Sequence, residues 1–446
     1  MSDPPTIFAL SSGHGRAGVA VIRVSGPRAA QVLELMAPPR PSPRQAAFRR
    51  IVHPVTRELL DAALVLYFAA PASETGEDIA ELQLHGSPAV VRAVLQALAG
   101  LPGCRLAEPG EFARRAFLNG KIDLTAAEGL ADLIDAETEA QRRQALAQAG
   151  GAFARLCNGW RQTLLEGRAL AEAAIDFSDE ADVAADAMAR ARLVAQPLLA
   201  GIQSLLADAH RGEIVRDGFR IVLAGPPNAG KSSLLNALAR RDVAIVSAEP
   251  GTTRDVLEVH LDLGGYAVVV ADTAGLRSAG STVEREGMRR TMERARTADL
   301  IVWLVDATAP VWTPPADLTA DPARCLVVAN KTDLVDPARI ASASPSLAIS
   351  ASTGAGLPEL IGHLQGVVGS RLEHAVSTAL PTQARHRAAL TECAEALSRA
   401  LADAAIAPEL AAEDFRLAAD ALGRITGRID AEEVLGAIFG RFCIGK

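Results

Sequence analysis

The octet Gly225-Pro-Pro-Asn-Ala-Gly-Lys-Ser232 follows the apolar run FRIVLA and precedes SLLNALA, so strand, glycine-bounded loop and helix start come in that order. Glycine freedom lets successive backbone N–H groups converge on a β-phosphate, and the following helix N-terminus adds its dipole. Lys231 then offers an ammonium to the β- and γ-oxygens, and Ser232 a hydroxyl to Mg²⁺. Between about 215 and 372 the runs FRIVLAG, VLEVHLDL, YAVVVAD, LIVWLVDA, RCLVVAN and SLAISAS alternate with helical stretches, the pattern of a mostly parallel α/β sheet. Gly264-Gly265 between two of these runs predicts one antiparallel hairpin.

Three further motifs stand at strand ends, in order. Asp272-Thr273-Ala274-Gly275 places a carboxylate where it can hold Mg²⁺ through water, and a glycine N–H where it can sense a γ-phosphate. In Asn330-Lys331-Thr332-Asp333, the Asp333 carboxylate matches the two donors on guanine N1 and N2, whereas adenine presents an acceptor there. Ser350-Ala351-Ser352, one strand later, is expected to contact the guanine carbonyl through backbone. Together they predict a guanine-nucleotide switch domain. Between the 225–232 loop and Asp272 lies Gly251-Thr252-Thr253-Arg254-Asp255, with Thr253 the first candidate for the switch threonine on Mg²⁺ and Thr252 the second. Leu276 stands where Ras-like enzymes carry a water-orienting glutamine, so hydrolysis needs another group; Glu284, Glu286, Arg254 and Arg277 are on offer.

The remainder of the 446 residues has a different texture. The first ~120 residues alternate short apolar runs (GVAVIRVSG, ALVLYFAAP, IAELQLHG) with Gly and Pro punctuation, including PPRPSPR at 38–44, and read as a small α+β domain. From about Lys121 helical periodicity takes over, with Leu146, Ala149, Phe153, Leu156, Trp160 and Leu164 stepping along one face until the texture changes at about Val215. It returns after ~375 with Leu390, Cys393, Leu397 and Leu401 on one stripe, and the last helix is expected to start at Asp430, capped against Glu433. The expected division is therefore 1–120, a helical domain in two parts at 121–214 and 376–446, and a G domain inserted at 215–375. The Pro-rich stretch 308–322 reads as a surface loop.

Composition narrows the class. With 49% hydrophobic residues and 11 Phe, 3 Trp and 2 Tyr, the core is filled by alanine and leucine, which leans towards helix. Five cysteines in an odd, scattered set without a CxxC pair argue against a disulfide framework and a zinc site, as in a reducing cytoplasm. The N-terminus lacks a basic region followed by a long apolar one, and no run approaches 18 apolar residues, so neither export nor membrane spanning is expected. The net charge of −8 rules out bulk attraction to a nucleic-acid backbone, so any such contact must be local or borrowed.

GRAGVAVIRVSG, TGEDIAELQLHG, EPGEFARRAFLNGKIDLTAAEGLADLIDA, EAAIDFSDE, GPPNAGKSSLLNAL, GTTRD, DTAGLR, NKTD and the terminal FCIGK together resemble the MnmE (TrmE) family of tRNA modification GTPases over nearly the full length. FLNGKIDL and FCIGK are the most specific of these segments. The resemblance implies a multidomain α/β protein: an N-terminal tetrahydrofolate-binding-like α+β domain that also dimerises, a discontinuous helical domain, and an inserted Ras-like P-loop G domain. It implies GTP hydrolysis that, with a flavoprotein partner (MnmG, GidA) carrying FAD, adds a carboxymethylaminomethyl-type group at C5 of the wobble uridine of certain tRNAs in the cytoplasm.

The implied residues follow position by position. GTP is expected on Asn228, Ala229, Gly230, Lys231, Ser232 and Ser233, on Ser247, Ala248, Glu249, Pro250, Gly251, Thr252 and Thr253, and on the strand-end motifs named above. A K⁺ ion that does the work of an arginine finger when two G domains meet is implied at Asn228, Ser247, Glu249 and Thr252. This loop reads SAEPGTTRD, where the family more often has an apolar-Ala pair before GTTRD, which bears on the K⁺ geometry. Glu284 is implied to orient the attacking water through a bridging water, and Cys443 to matter for modification. A folate one-carbon donor is implied at Arg23, Glu81, Lys121 and Lys446: a carboxylate can accept the paired donor edge of a pterin, and basic groups can hold the folate's glutamate. The competing class is an RNA-binding ribosome-assembly GTPase, which FLNGKIDL and FCIGK oppose. With its charge of −8, the chain should meet tRNA through a local basic patch or largely through its partner.

Overall fold

The computed structural model of the chain describes residues 4–245, 258–272, 297–318, 321–343, 345–373, 380–402, 407–429, 432–440, 442 and 444–445. They fall into two compact units, one built from 1–131, 148–165 and 416–446, the other from 132–147 and 166–415.

The first unit is organised by a six-stranded sheet in the order β3-β4-β5-β2-β1-β6. Its strands are β1 (Thr6–Leu10), β2 (Ala17–Ser25), β3 (Ala47–Val52), β4 (Leu59–Phe68), β5 (Ile79–Gly86) and β6 (Cys104–Leu106). All pairs are antiparallel except β1 with β6, where Thr6 stands opposite Cys104. Helices α1 (Ala29–Met36) and α2 (Pro88–Ala99) cover one face, closing a core of Phe8, Ile22, Leu33, Met36, Ile51, Val65, Leu82 and Leu98. The period-two alternation of β4 and β5 sends Ala63, Val65 and Tyr67, and Leu82 and Leu84, into that core. Three short elements, β1, β3 and α1, lacked a distinct signal in the sequence.

Helices α3 (Glu111–Leu118), α4 (Leu124–Asp135) and the last described helix (Glu432–Phe439) share a second small core of Ala113, Leu124, Ala127, Leu435, Ile438, Phe439 and Phe442. The backbones approach closely there: at Gly110, with φ 66°, an added Cβ would lie 2.4 Å from the Phe439 carbonyl oxygen. The expected capping residue of that last helix, Asp430, lies outside the described residues.

One continuous helical face through Leu146 and Leu164 is not what forms. Helix α5 (Glu139–Ala149) ends at the Gly150-Gly151 pair, where Gly151 adopts φ 74°, and α6 (Ala152–Asp176) begins anew. The break puts the two halves of the stripe out of phase, so Phe153 and Leu164 are buried while Leu146 is 51% exposed.

In the second unit α7 (Ala181–Asp217) runs 37 residues and stops at Gly218, φ 92°, one residue before the sheet begins. Strands β7 (Phe219–Ala224), β8 (Glu258–Leu263), β9 (Tyr266–Asp272), β10 (Leu300–Asp306), β11 (Cys325–Asn330) and β12 (Leu347–Ala348) form a sheet in the order β12-β11-β10-β7-β9-β8. All pairs are parallel except β8 with β9, which close a hairpin at Gly264-Gly265, both at positive φ. Helices α8 (Lys231–Ala239) and α10 (Leu357–Leu372), with the shorter α9 (Pro337–Ala343) between them in sequence, belong to this unit. The main core joins Leu234, Leu235 and Leu238 of α8, Leu360, Leu364 and Val368 of α10, and Ile221, Leu223, Val302, Leu304 and Val328 of the sheet. Helix α11 (Ala384–Ala402) follows and buries Leu390, Cys393 and Leu397 as its stripe requires, and α12 (Pro408–Thr426) begins in this unit and ends in the first.

The stretch 308–322, read as a surface loop, is anchored in its described part. Trp303 donates its indole N–H to the Val311 carbonyl at 3.1 Å, and Leu318 is buried with Trp303 in a satellite core. Among the described residues no helix is long and apolar enough to cross a membrane.

Candidate functional site

Parallel pairing brings the strand-end motifs to one edge of the sheet, because strands in register end together. Leu223 stands opposite Asp272, and Asp306 opposite Asn330. In such sheets the carboxyl edge is where ligands bind.

The 225–232 loop is shaped by three left-handed positions, Gly225 (φ 148°), Asn228 (φ 62°) and Gly230 (φ 93°). Two of the glycines are obligatory for space as well as for φ. A Cβ at Gly225 would stand 2.3 Å from the Leu304 carbonyl oxygen, and one at Gly230 would stand 2.3 Å from Nδ2 of Asn330. Lys231 folds back over the loop, its ammonium donating to the carbonyls of Gly225 and Pro226 at 2.9 Å each. Burial pushes that ammonium below the usual lysine range, and the charge of Asp272 works in the opposite sense. Ser232 donates its hydroxyl to Oδ2 of Asp272 at 2.6 Å. A hydroxyl and a carboxylate side by side are hard oxygen donors of the kind Mg²⁺ takes, so these two residues fit that ion. Among the described residues no cluster of three or more His, Cys, Asp or Glu could hold a metal by itself.

Asn330 is 2% exposed and ties the site together. Its Nδ2 donates to the Ala229 carbonyl at 2.8 Å, and its Oδ1 accepts the Ala351 N–H at 3.0 Å. Thr332 bonds the Ile349 carbonyl through its hydroxyl at 2.9 Å, and Ser350 Oγ lies 3.0 Å from Ser352 Oγ and takes the Thr353 N–H at 3.2 Å. Asp333 lies on the short turn Thr332–Leu334 and is exposed, its carboxylate open to a ligand.

Lys331, at φ 63°, sends its ammonium to Oδ2 of Asp306 at 2.5 Å. Burial alone would raise the Asp306 carboxyl, but hydrogen bonds from Lys331 and Thr308 outweigh it and hold the group below its ordinary value. Asp306 belongs to none of the sequence motifs, yet it sits at this edge. The available signal was its place at the end of the run LIVWLVD, equivalent to Asp272 and Asn330 in their own strands.

In the first unit, Arg23 and Glu81 face each other across β2 and β5. Arg23 reaches Oε1 of Glu81 with Nε at 3.1 Å and NH2 at 3.0 Å, reaches Glu74 with NH1 at 2.7 Å, and stands 5.9 Å from the centre of the Phe112 ring. Lys121 donates to the Pro71 carbonyl at 2.9 Å, on the same loop that carries Glu74. Beneath that loop a buried chain fixes its position: Ser25 donates to Glu77 and lies 2.7 Å from Thr75, and Arg115 bridges Glu77 and Glu111. Glu74, Phe112 and this chain were not singled out from sequence, since their roles come from a loop folding against β2 and α3.

Ser247, Ala248, Glu249, Pro250, Gly251, Thr252, Thr253 and Arg254 lie outside the described residues, as do Thr273, Ala274, Gly275, Leu276, Arg277, Glu284, Glu286, Cys443 and Lys446. Of the four expected K⁺ ligands, the structure therefore describes Asn228 alone, exposed on its left-handed turn. The neighbours of Cys443 are described: Ile444 bridges to Pro109, and the Gly445 carbonyl accepts the Ser11 hydroxyl at 2.7 Å.

Two family models match the chain, one described as GTP-binding protein TrmE N-terminus over residues 6–121, the other as MnmE helical domain over residues 124–443. Among curated proteins, the tRNA modification GTPase MnmE of Methylobacterium sp. (strain 4-46) is 53% identical over 446 residues, covering 99% of this chain and 99% of that one. The protein of the same name from Beijerinckia indica subsp. indica is 52% identical over 441 residues, covering 99% of this chain and 96% of that one. Among solved structures, the FeoB G-domain from Methanococcus jannaschii is 26% identical and covers 34% of this chain and 97% of that chain, with a TM-score of 0.25.

Proposed function

Because this chain belongs to the MnmE (TrmE) family, we propose that it hydrolyses GTP with Mg²⁺ and K⁺, working as a homodimer with a flavoprotein partner, MnmG. Together they add a carboxymethylaminomethyl-type group at C5 of the wobble uridine of certain tRNAs in the cytoplasm. The three-part division at 1–120, 121–214 with 376–446, and 215–375 belongs to the same reading. The observation that supports its GTP-binding part is the clamp made by Asn330, which joins the phosphate loop, the guanine-reading turn and the segment after β12 through one buried amide.

The chemistry follows from those groups. Lys231 exchanges its bonds to Gly225 and Pro226 for β- and γ-phosphate oxygens, whose negative charge offsets the burial that depresses its ammonium. Ser232 and Asp272, already in contact, hold the Mg²⁺ side of the phosphates. When bound, Mg²⁺ and K⁺ neutralise charge that develops on the β,γ-bridge. The Asp333 carboxylate accepts from guanine N1 and N2, and the stem of Lys331, fixed at its tip by Asp306, lines the base. Glu284 is assigned to the attacking water, in line with the absence of a glutamine at Leu276.

For the one-carbon unit the reading assigns Arg23, Glu81, Lys121 and Lys446 to a folate and Cys443 to the modification step. Both contacts from Arg23 fall on Oε1 of Glu81, so its Oε2 is the oxygen assigned to the pterin's donor edge. Phe112, buried with Ile7 and Ala9, backs the Arg23 guanidinium from the core side.

Nucleoside mass spectrometry of tRNA from cells lacking the protein tests the reading. Loss of the C5 substituent at the wobble uridine is expected; an unchanged nucleoside would refute it. Faster GTP turnover in K⁺ than in Na⁺, and loss of turnover with retained GTP affinity in Glu284→Ala, test the hydrolytic arm separately.

A further inference from the structure

Residues 35–57 contain Arg40, Arg44, Arg49, Arg50, Arg57 and His53 and no Asp or Glu, in a chain whose net charge is −8. The structure places this segment on β3, an edge strand of the first unit's sheet, and on the loops at its two ends. The arginines there are oriented without being neutralised. Arg49 donates to the carbonyls of Pro39 at 2.7 Å and Phe48 at 2.9 Å, Arg44 to that of Ala72 at 2.5 Å, and Arg57 to that of Leu35 at 2.8 Å. A carbonyl fixes a guanidinium but leaves its full charge and its remaining N–H donors to an outside anion. Arg40 alone in the group meets a carboxylate, Glu34 at 3.4 Å, with both side chains exposed, which costs it little of its field. Arg50 is exposed and has no side-chain partner among the described residues. Alternation along β3 puts Phe48, 65% exposed, on the face of Arg50 and opposite Leu64 of β4, itself 43% exposed, while Arg49 shares the face of Ile51.

We propose that this edge is the surface on which the protein takes tRNA, with Arg44, Arg49, Arg50 and Arg57 on the phosphodiester backbone and Phe48 stacking an unpaired base. The proposal rests on the reading that tRNA is the substrate and names where it docks. Guanidiniums along the edge, with Arg50 beside an open aromatic ring, suit a single-stranded RNA loop, whose bases are splayed and can stack, better than a duplex. The same charges oppose the other ready occupants. A second copy pairing edge to edge about a two-fold would set Arg49 and Arg50 against themselves, and an exposed hydrophobic edge strand guarded by cations is protected from self-association. The patch also reconciles a net-acidic chain with a polyanionic substrate, because attraction within a Debye length is local.

The test is fluorescence anisotropy of the full-length protein with a labelled tRNA transcript, titrated between about 50 and 200 mM KCl, the range in which phosphate contacts are read from the salt slope. Arg44→Glu with Arg50→Glu should weaken binding at least ~10-fold and flatten the log–log salt slope by about 1.4–1.8, the share of two phosphate contacts. Phe48→Ser should weaken the transcript more than a duplex RNA of equal length. Arg168→Glu, on α6, should change neither value. Should the double variant fail to fold by circular dichroism, Arg50→Gln carries the test, with a slope change of about 0.7–0.9. Affinities and slopes equal to wild type would overturn the proposal, as would unchanged tRNA binding alongside loss of binding to phosphatidylserine vesicles or of self-association. The two readings fail separately. An unaltered wobble nucleoside in deletion cells removes the tRNA function itself, whereas a lost nucleoside with wild-type anisotropy in the variants removes only this surface.

Discussion

The side-chain amide of Asn330 donates to the backbone carbonyl of Ala229 at 2.8 Å, while the same side chain accepts the Ala351 N–H at 3.0 Å. One buried residue thereby fastens together the loops that follow β7, β11 and β12. Asn330→Ala would leave the buried Ala229 carbonyl and the part-buried Ala351 N–H unsatisfied, at a cost of about 2–6 kcal/mol for the pair. Urea unfolding should show that loss, and GTP and GDP affinities should fall together. Asn330→Asp should be no better than alanine, because it keeps the acceptor for Ala351 but sets a carboxylate against the Ala229 carbonyl. A stable, tightly binding Asp variant would show that the amide does not clamp the loop.

Asp306 and Lys331 give a prediction with a pH sign. The folded Asp306 carboxyl is held below its ordinary 3.8 by Lys331 and Thr308 against the opposing effect of burial. Its contribution is therefore fully present above the unfolded value and is lost as pH falls through the folded one. Asp306→Asn should flatten the acid limb of the stability curve and, at neutral pH, weaken GTP and GDP several-fold without altering guanine selectivity. An unchanged acid limb, followed by thermal unfolding across that range, would detach Lys331 from this partner.

The parallel sheet was legible because each strand of the second unit carries its own apolar run and each motif sits at the end of one. The GxxxxGK[ST] loop, the hairpin at Gly264-Gly265 and the stripe of α11 all rest on local chemistry. What was hidden depends on pairs far apart in sequence. Nothing local to Arg23 announces Glu74 or Phe112, and nothing in AFRRIV says that it will be an edge strand with Phe48 outward. The stripe from Leu146 to Leu164 does not hold because it runs across Gly150-Gly151, where the left-handed φ of Gly151 resets the helix phase. Asp306 escaped notice because it belongs to no motif, although its place at a strand end is the same as that of Asp272.

The buried thiols should sort by access. Cys157 and Cys393 are fully buried, and burial pushes the Cys393 thiol up to about 12, whereas Cys104 and Cys325 are only partly covered. Iodoacetamide at pH ~8 should label Cys104 and Cys325 ahead of Cys157 and Cys393, because the thiolate is the reactive form. The raised Cys393 group favours the folded state below its ordinary 9.0, and that advantage is lost as pH rises towards the folded value. Alkaline unfolding should accordingly be less steep in Cys393→Ala than in wild type, over and above the stability lost to the cavity. Peptide mapping that finds Cys393 labelled as early as Cys104 would contradict its placement.

The C-terminal tail offers the last prediction. Gly445 adopts φ 107°, its carbonyl accepts the Ser11 hydroxyl at 2.7 Å, and a Cβ there would stand 2.1 Å from the Leu10 carbonyl oxygen. The atoms in the way are backbone of Leu10 and Ser11, with no side chain that could yield, so Gly445→Ala must lift the tail from β1. Gly436 in the last helix, by contrast, has nothing within 4 Å of an added Cβ, and alanine there should be neutral or stabilising by about 0.5–1 kcal/mol. If the tail positions Cys443 for the modification step, cells carrying Gly445→Ala should lose the wobble substituent while the purified variant still turns over GTP, and Gly436→Ala should retain both. Carboxypeptidase digestion supplies the structural readout, since a displaced tail is cut faster. Faster digestion with full modification would separate the seating of the tail from the reaction; unchanged digestion would contradict the close approach of Gly445 to Leu10.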